Sequence, residues 1–120
     1  MPVRSATLAH GTVSVAGWHG LFFVPQGWTY LVKAVEVGNL GSAHTTLRLW
    51  TALAGTSSLV AVFEVEVGTI GTQAPWLALT EGTELAIQHL AAVETSLWIS
   101  GSQLPGVQEY APVRPTLRLG

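Results

Sequence analysis

Apolar and polar side chains alternate along much of the chain. In residues 34–39, Val35 and Val37 share one side, and Ala34 and Glu36 share the other. In residues 44–50, Thr45, Leu47 and Leu49 oppose His44, Thr46, Arg48 and Trp50. In residues 59–67, Leu59, Ala61, Phe63, Val65 and Val67 oppose Glu64 and Glu66. In residues 96–100, Leu97 and Ile99 oppose Ser96, Trp98 and Ser100. A repeat of two marks strands with one buried face. It predicts a shared core of Val35, Val37, Leu47, Leu49, Phe63, Val65, Leu85, Ile87, Leu97 and Ile99. Residues 85–94 hold the nearest thing to a helical pattern, but they run straight into strand-like sequence.

Glycine and proline punctuate these segments. Pro25-Gln26-Gly27 is a turn between two strands, and Asn39-Leu40-Gly41-Ser42 reads as a hairpin connection. Residues 54–58, residues 68–73 and Glu81-Gly82 read as further loops. Strands at roughly ten-residue spacing suggest an all-β fold, an antiparallel jelly-roll-like β-sandwich of about eight strands. The ends lack the alternation. Residues 1–15 are mostly polar or small, and residues 108–120 hold Pro112 and Pro115, which suit an extended arm. The expected division is an N-terminal arm (1–15), a sandwich domain (16–107) and a C-terminal arm (108–120). The arms are expected to dock on a neighbouring chain.

A chain of 120 residues is one domain and can bury a core without a disulfide or metal staple. The absence of cysteine removes disulfide frameworks, Cys-ligated zinc and thiol catalysis. Only 10% of residues are charged, with a net charge of −2. Lys33 is the single lysine, and Arg4, Arg48, Arg114 and Arg118 are scattered, so no basic cluster exists for nucleic acid or an anionic membrane. Mean hydropathy is +0.42. No unbroken apolar stretch is long enough for a transmembrane helix, and residues 1–8 lack the apolar core of a signal peptide. High hydropathy with few charges points instead to apolar surface covered by other subunits.

Catalytic patterns are sparse. Aspartate is absent, so a Ser-His-Asp triad is excluded, and neither a Gly-x-Ser-x-Gly elbow nor a phosphate-binding glycine loop occurs. His10, His19, His44 and His89 lack metal-ligand spacing and read as surface or interface residues. Glu64 and Glu66 share one strand face, as paired carboxylates do in some glycoside-cleaving sandwiches. Outward glutamates also keep a strand face wet and block edge pairing, and no third acid supports catalysis here. The residues therefore read as a non-enzyme with no catalytic, metal or cofactor site.

Five tryptophans are a larger signal. Trp50 and Trp98 fall on the polar sides of their strands, where a large indole is unusual. Three explanations remain open: stacking on a sugar or other ligand, burial at a subunit interface, or cover by the chain's own arms. The candidate interface or ligand face is Thr46, Arg48, Trp50, Ser96, Trp98 and Ser100. Trp18, Trp28 and Trp76 flank turns and read as packing caps.

The segment Val24-Pro25-Gln26-Gly27-Trp28-Thr29-Tyr30-Leu31-Val32-Lys33, running on to Asn39, resembles small β-sandwich virion structural proteins of tailed bacteriophages. In that pattern a strand ends in Val-Pro, a turn with Gly follows, and then comes an aromatic-rich strand with Val-Lys. Residues 42–50, the step Leu79-Thr80-Glu81-Gly82-Thr83-Glu84-Leu85 and the strand Leu97-Trp98-Ile99-Ser100-Gly101 continue it in order. The family usually has Asp where this chain has Thr83. The resemblance covers residues 21–103 and brings no catalytic residues. It implies a virion component made in the host cytoplasm more than it implies a place on the virion; the expectation is a minor tail subunit, tail-tip or fibre-associated, acting in assembly or host attachment. A capsid decoration protein is the alternative, and a carbohydrate-binding module the second. The implied partners are the chain itself as a homotrimer, other tail or capsid proteins, and a host surface glycan.

Overall fold

The computed structural model of the protein describes residues 4–105. Nine strands form: β1 (Arg4–Val13), β2 (Gly17–Phe23), β3 (Trp28–Asn39), β4 (Thr45–Leu53), β5 (Thr56–Val65), β6 (Ile70–Gln73), β7 (Leu77–Leu79), β8 (Glu84–His89) and β9 (Thr95–Pro105). They make two antiparallel sheets. One runs β1-β9-β3, with β6 and β7 following each other along the far side of β3; the other runs β2-β8-β4-β5. The chain passes repeatedly from one sheet to the other. This strand order is that of a jelly roll, two Greek keys facing across one core.

A jelly roll has eight strand positions, and the ninth strand here is a split in one of them. β6 pairs with Val35–Gly38 and β7 with Tyr30–Val32. Between them lie Pro75, which has no amide proton for a ladder, and Trp76, whose φ is 49°.

All ten predicted core residues are buried in a single cluster, joined by Val24, Val32, Ala61 and Leu79. Residues 84–89 are strand, because Leu85 and Ile87 alternate into that core. Leu59 and Val67 depart from the predicted face. At a bulge, Leu49 and Trp50 pair with Ala61 and Leu59, so Val60 is an extra residue and Leu59 turns outward. Val67 lies beyond the end of β5 and is exposed.

The N-terminal segment expected as an arm is largely strand. Residues 4–13 pair with Thr95–Gln103 of β9, and Leu8, Ala9 and Val13 pack against the rim of the core. Pairing through the backbone needs no large side chains, so the weak pattern of residues 1–15 concealed it. Residues 108–120, the expected C-terminal arm, lie outside the described residues.

The expected hairpin at Asn39 is a crossing between sheets, since β3 and β4 belong to different ones. Buried Asn39 organises it. Its Nδ2 donates to the carbonyls of Ala43 (2.8 Å) and Val65 (2.9 Å), and its Oδ1 accepts from the amide of Gly41 (2.9 Å). Elsewhere in the fold, two turns distant in sequence meet. The amide of Gly27 donates to Glu81 Oε1 at 3.0 Å, and Val24 exchanges backbone bonds with Gly82 and Thr83.

β4 and β5 join through the two-residue turn Ala54-Gly55, with φ of 51° and 83°. Two positive φ values define a type I′ turn, which favours Asn or Gly at its first position. An alanine held in the left-handed region costs about 1 kcal/mol. Ala54→Asn is expected to raise stability by about 0.5–1 kcal/mol. The check is a higher urea midpoint at unchanged slope; an unchanged midpoint would show that the turn holds no such strain.

Candidate functional site

Each sheet turns one set of alternating residues inward and the other outward. Leu47 and Leu49 point into the core from β4, so Thr46, Arg48 and Trp50 lie on the outer face of the β2-β8-β4-β5 sheet. Leu97 and Ile99 point inward from β9, so Ser96, Trp98 and Ser100 lie on the outer face of the other sheet. The six candidate residues therefore form two groups on opposite sides of the sandwich, not one face. The physical reason is plain: alternation shows that a side chain points outward but carries no label for which sheet its strand joins.

On the first face Trp50 is half-buried, with its Nε1 donating to Gln88 Oε1 at 3.3 Å. Its ring lies 5.9 Å from that of Trp18, inclined at 41°. Trp18 comes from β2 and Trp50 from β4, so the rings meet above β8, where outward-facing Ala86 is fully buried. Leu59, turned out by the bulge, is the cross-strand partner of Trp50, and Val62 that of Arg48. Trp18, Leu59 and Val62 each keep between 42% and 49% of their surface exposed. Trp18 thus belongs to this patch and is not a packing cap. Its neighbours Gly17 and Gly20 give no alternation from which its direction follows. Trp76 is no cap either, standing 63% exposed with Lys33 Nζ 5.7 Å from its ring centroid. Trp28 does pack against the core.

On the opposite face Trp98 is exposed and is the cross-strand partner of both His10 and Glu36. The His10 ring lies 5.1 Å from it, inclined at 32°. Ser100 sits between Thr7 and Ala34.

Glu64 and Glu66 are exposed, and His44 Nε2 lies 3.7 Å from a carboxylate oxygen of each. That is an open, solvent-screened arrangement of a kind contributing little to stability. Among the described residues no group of three or more His or Glu side chains is placed to hold a metal ion.

His89 corrects the reading of the histidines as surface or interface groups. It continues the inward series of Leu85 and Ile87 and is buried. Its Nε2 lies 3.0 Å from Thr45 Oγ1 and 3.3 Å from Thr95 Oγ1. The Thr95 hydroxyl gives its proton to the Val93 carbonyl at 2.8 Å, so its oxygen is left to accept. The Thr45 hydroxyl can donate to Nε2 or accept from it, and Nδ1 is buried.

No protein-family model and no curated protein matches the chain. Solved structures do share its fold. A Bacillus endospore appendage structure, of disulfide-linked pili, matches with a TM-score of 0.53 and 13% identity, covering 87% of this chain and 88% of that one. A chain of infectious bursal disease virus, Gx strain, matches with a TM-score of 0.52 and 17% identity, covering 85% of this chain and 32% of that one. This chain thus spans about a third of the viral chain's length. At such identities the likeness is one of fold alone. The disulfide linkage has no counterpart here, because the chain has no cysteine.

Burial holds the His89 imidazole below its ordinary 6.5, and neighbouring His19 pushes the same way. The unfolded chain then binds this proton more readily than the folded one, so stability falls as pH drops below about 6.5 toward the folded value. Urea midpoints are expected to decline from pH 7 to pH 5, and His89→Gln to flatten that slope. An unchanged slope in the variant would assign the acid sensitivity to other groups.

Proposed function

We propose that this chain is a non-enzymatic structural subunit of a tailed-bacteriophage virion, a minor tail component at the tip or beside a fibre. The observation that carries this reading is the outer face of the β2-β8-β4-β5 sheet. Trp18, Trp50, Leu59 and Val62 form an apolar strip there, on a protein whose core is complete without them. Tryptophan anchors of this kind dominate binding energy where proteins meet. The strip is best covered by a second copy of the chain. Arg48 and Glu64 share this face without an ion pair between them among the described residues, so a symmetry-related copy can supply each with an opposite charge. The sequence resemblance supplies the phage setting and the trimer. The jelly roll supports it, being a fold used in viral shells. The likeness in fold to a virus chain favours a capsid decoration protein as the second reading.

Sedimentation of the purified chain is expected to show a closed oligomer, with the trimer as the proposed size. Trp50→Ala should weaken it by about 2–4 kcal/mol, roughly 30-fold to several hundred-fold. The far-ultraviolet circular dichroism should stay unchanged. A wild-type chain that remains monomeric at high concentration would end the subunit reading. Labelling the chain on intact particles separates tail from shell.

A further inference from the structure

The outer face of the other sheet holds a different feature. Two rows of outward side chains cross β1, β9, β3 and β6 side by side. One row is His10, Trp98, Glu36 and Thr72; the next is Thr12, Ser96, Gly38 and Ile70. Gly38 carries no side chain, and the Ser96 hydroxyl leans over it, donating to its carbonyl at 3.4 Å. Both residues line a groove of about 380 Å³ whose walls include Trp98, Glu36 and Ile70. That volume is at the small end of ligand clefts, which run from about 300 to 1,000 Å³. Trp98 keeps 47% of its surface exposed while the His10 ring braces it. Glu36 is exposed, and among the described residues its carboxylate takes part in no ion pair or hydrogen bond.

We infer that this groove binds a neutral pyranose, as a free glycoside or the end of a surface glycan. A pyranose presents a face of C–H groups and a rim of hydroxyls. The C–H face fits the exposed indole of Trp98, whose π-cloud is negative and attracts polarised hydrogens. The rim hydroxyls donate to the Glu36 carboxylate in charge-assisted bonds, about twice as strong as neutral ones. Ser96 and Thr12 hydroxyls line the same groove and can exchange further bonds. The carboxylate also sets the class of sugar, because an acidic uronate or sialic acid would meet a like charge. A nucleotide would find no Lys or Arg along the groove for its phosphate. This site is on the side of the sandwich away from Trp50, so it does not depend on the subunit reading.

The test is titration of the full chain with methyl β-glucoside, methyl β-galactoside and N-acetylglucosamine, with glucuronic acid as the charged counterpart. Ligand-observed NMR and calorimetry report binding, and sedimentation is followed in parallel. At least one neutral sugar should bind in the millimolar range, and glucuronic acid should bind measurably more weakly. Trp98→Ala should weaken binding roughly tenfold or more. Glu36→Gln should weaken the neutral sugar and narrow the gap to glucuronic acid. The oligomer's mass should not change with Trp98→Ala. No binding at tens of millimolar, or binding that survives Trp98→Ala, overturns the proposal. So does equal affinity for glucuronic acid. A wild-type chain that binds the sugar yet sediments as a monomer would instead overturn the subunit reading.

Discussion

Two twisted sheets share one interior, and every strand must give that interior one of its two faces. Leu47, Leu49, Leu85, Ile87 and Ile99 are each less than 2% exposed. Burying a side chain of this size stabilises by about 1.5–3 kcal/mol. A slip of one residue in any central strand would turn its whole apolar row to water, so the register is strongly held. The same rule commits the remaining side chains to one of two outer surfaces with the core between them. Trp50 and Trp98 therefore cannot act together within one chain. Each must be explained by the neighbours on its own sheet.

The core is not uniformly apolar, and its polar groups gather where the sheets are tied together. Asn39 and Thr95 are cross-strand partners in one sheet, while Thr45 and His89 belong to the other. Asn39 reaches over to Val65, and His89 lies between the hydroxyls of Thr45 and Thr95. A buried amide or imidazole left without partners costs about 1–3 kcal/mol. These bonds thus favour one stacking of the sheets over sliding alternatives that apolar contacts alone would tolerate. His89 is the weak member, since a second proton on its ring would bury a charge. Acid should loosen this tie through His89 while leaving the apolar rows intact.

What was legible in the sequence follows from what a repeat of two can encode. It separates inward from outward, and the inward rows from Val35 to Ile99 came out as read. It does not say which strands are neighbours, so two outward rows merged into one imagined face. It also assumes an unbroken count, which the extra residue Val60 violates, sending Leu59 outward to join Trp50. Strand β1 was hidden because an edge strand can be held by backbone bonds to β9 with little apolar pattern of its own. Asn39 looked like a turn residue because Asn favours turns, yet its position at a crossing is fixed by the two carbonyls and one amide it satisfies. His89 was readable, as the third member of the series that begins with Leu85 and Ile87, but residue type was weighed above position.

The two outer faces differ in shape as well as in chemistry, and each is built around a small residue. Over β8, the rings of Trp18 and Trp50 approach to 5.9 Å beside Ala86, whose small side chain is fully covered. An exposed apolar strip of this kind suits a broad partner, such as another copy of the chain. Over β3, Gly38 carries no side chain at all, and a Cβ placed there would crowd Ser96 Oγ at 2.5 Å. Its neighbours Trp98 and Ile70 stand apart with Glu36 between the strands they rise from. A groove with one aromatic wall and one carboxylate suits a small polar ring better than a protein surface. A subunit built this way can be held by one sheet and still present the other to its surroundings.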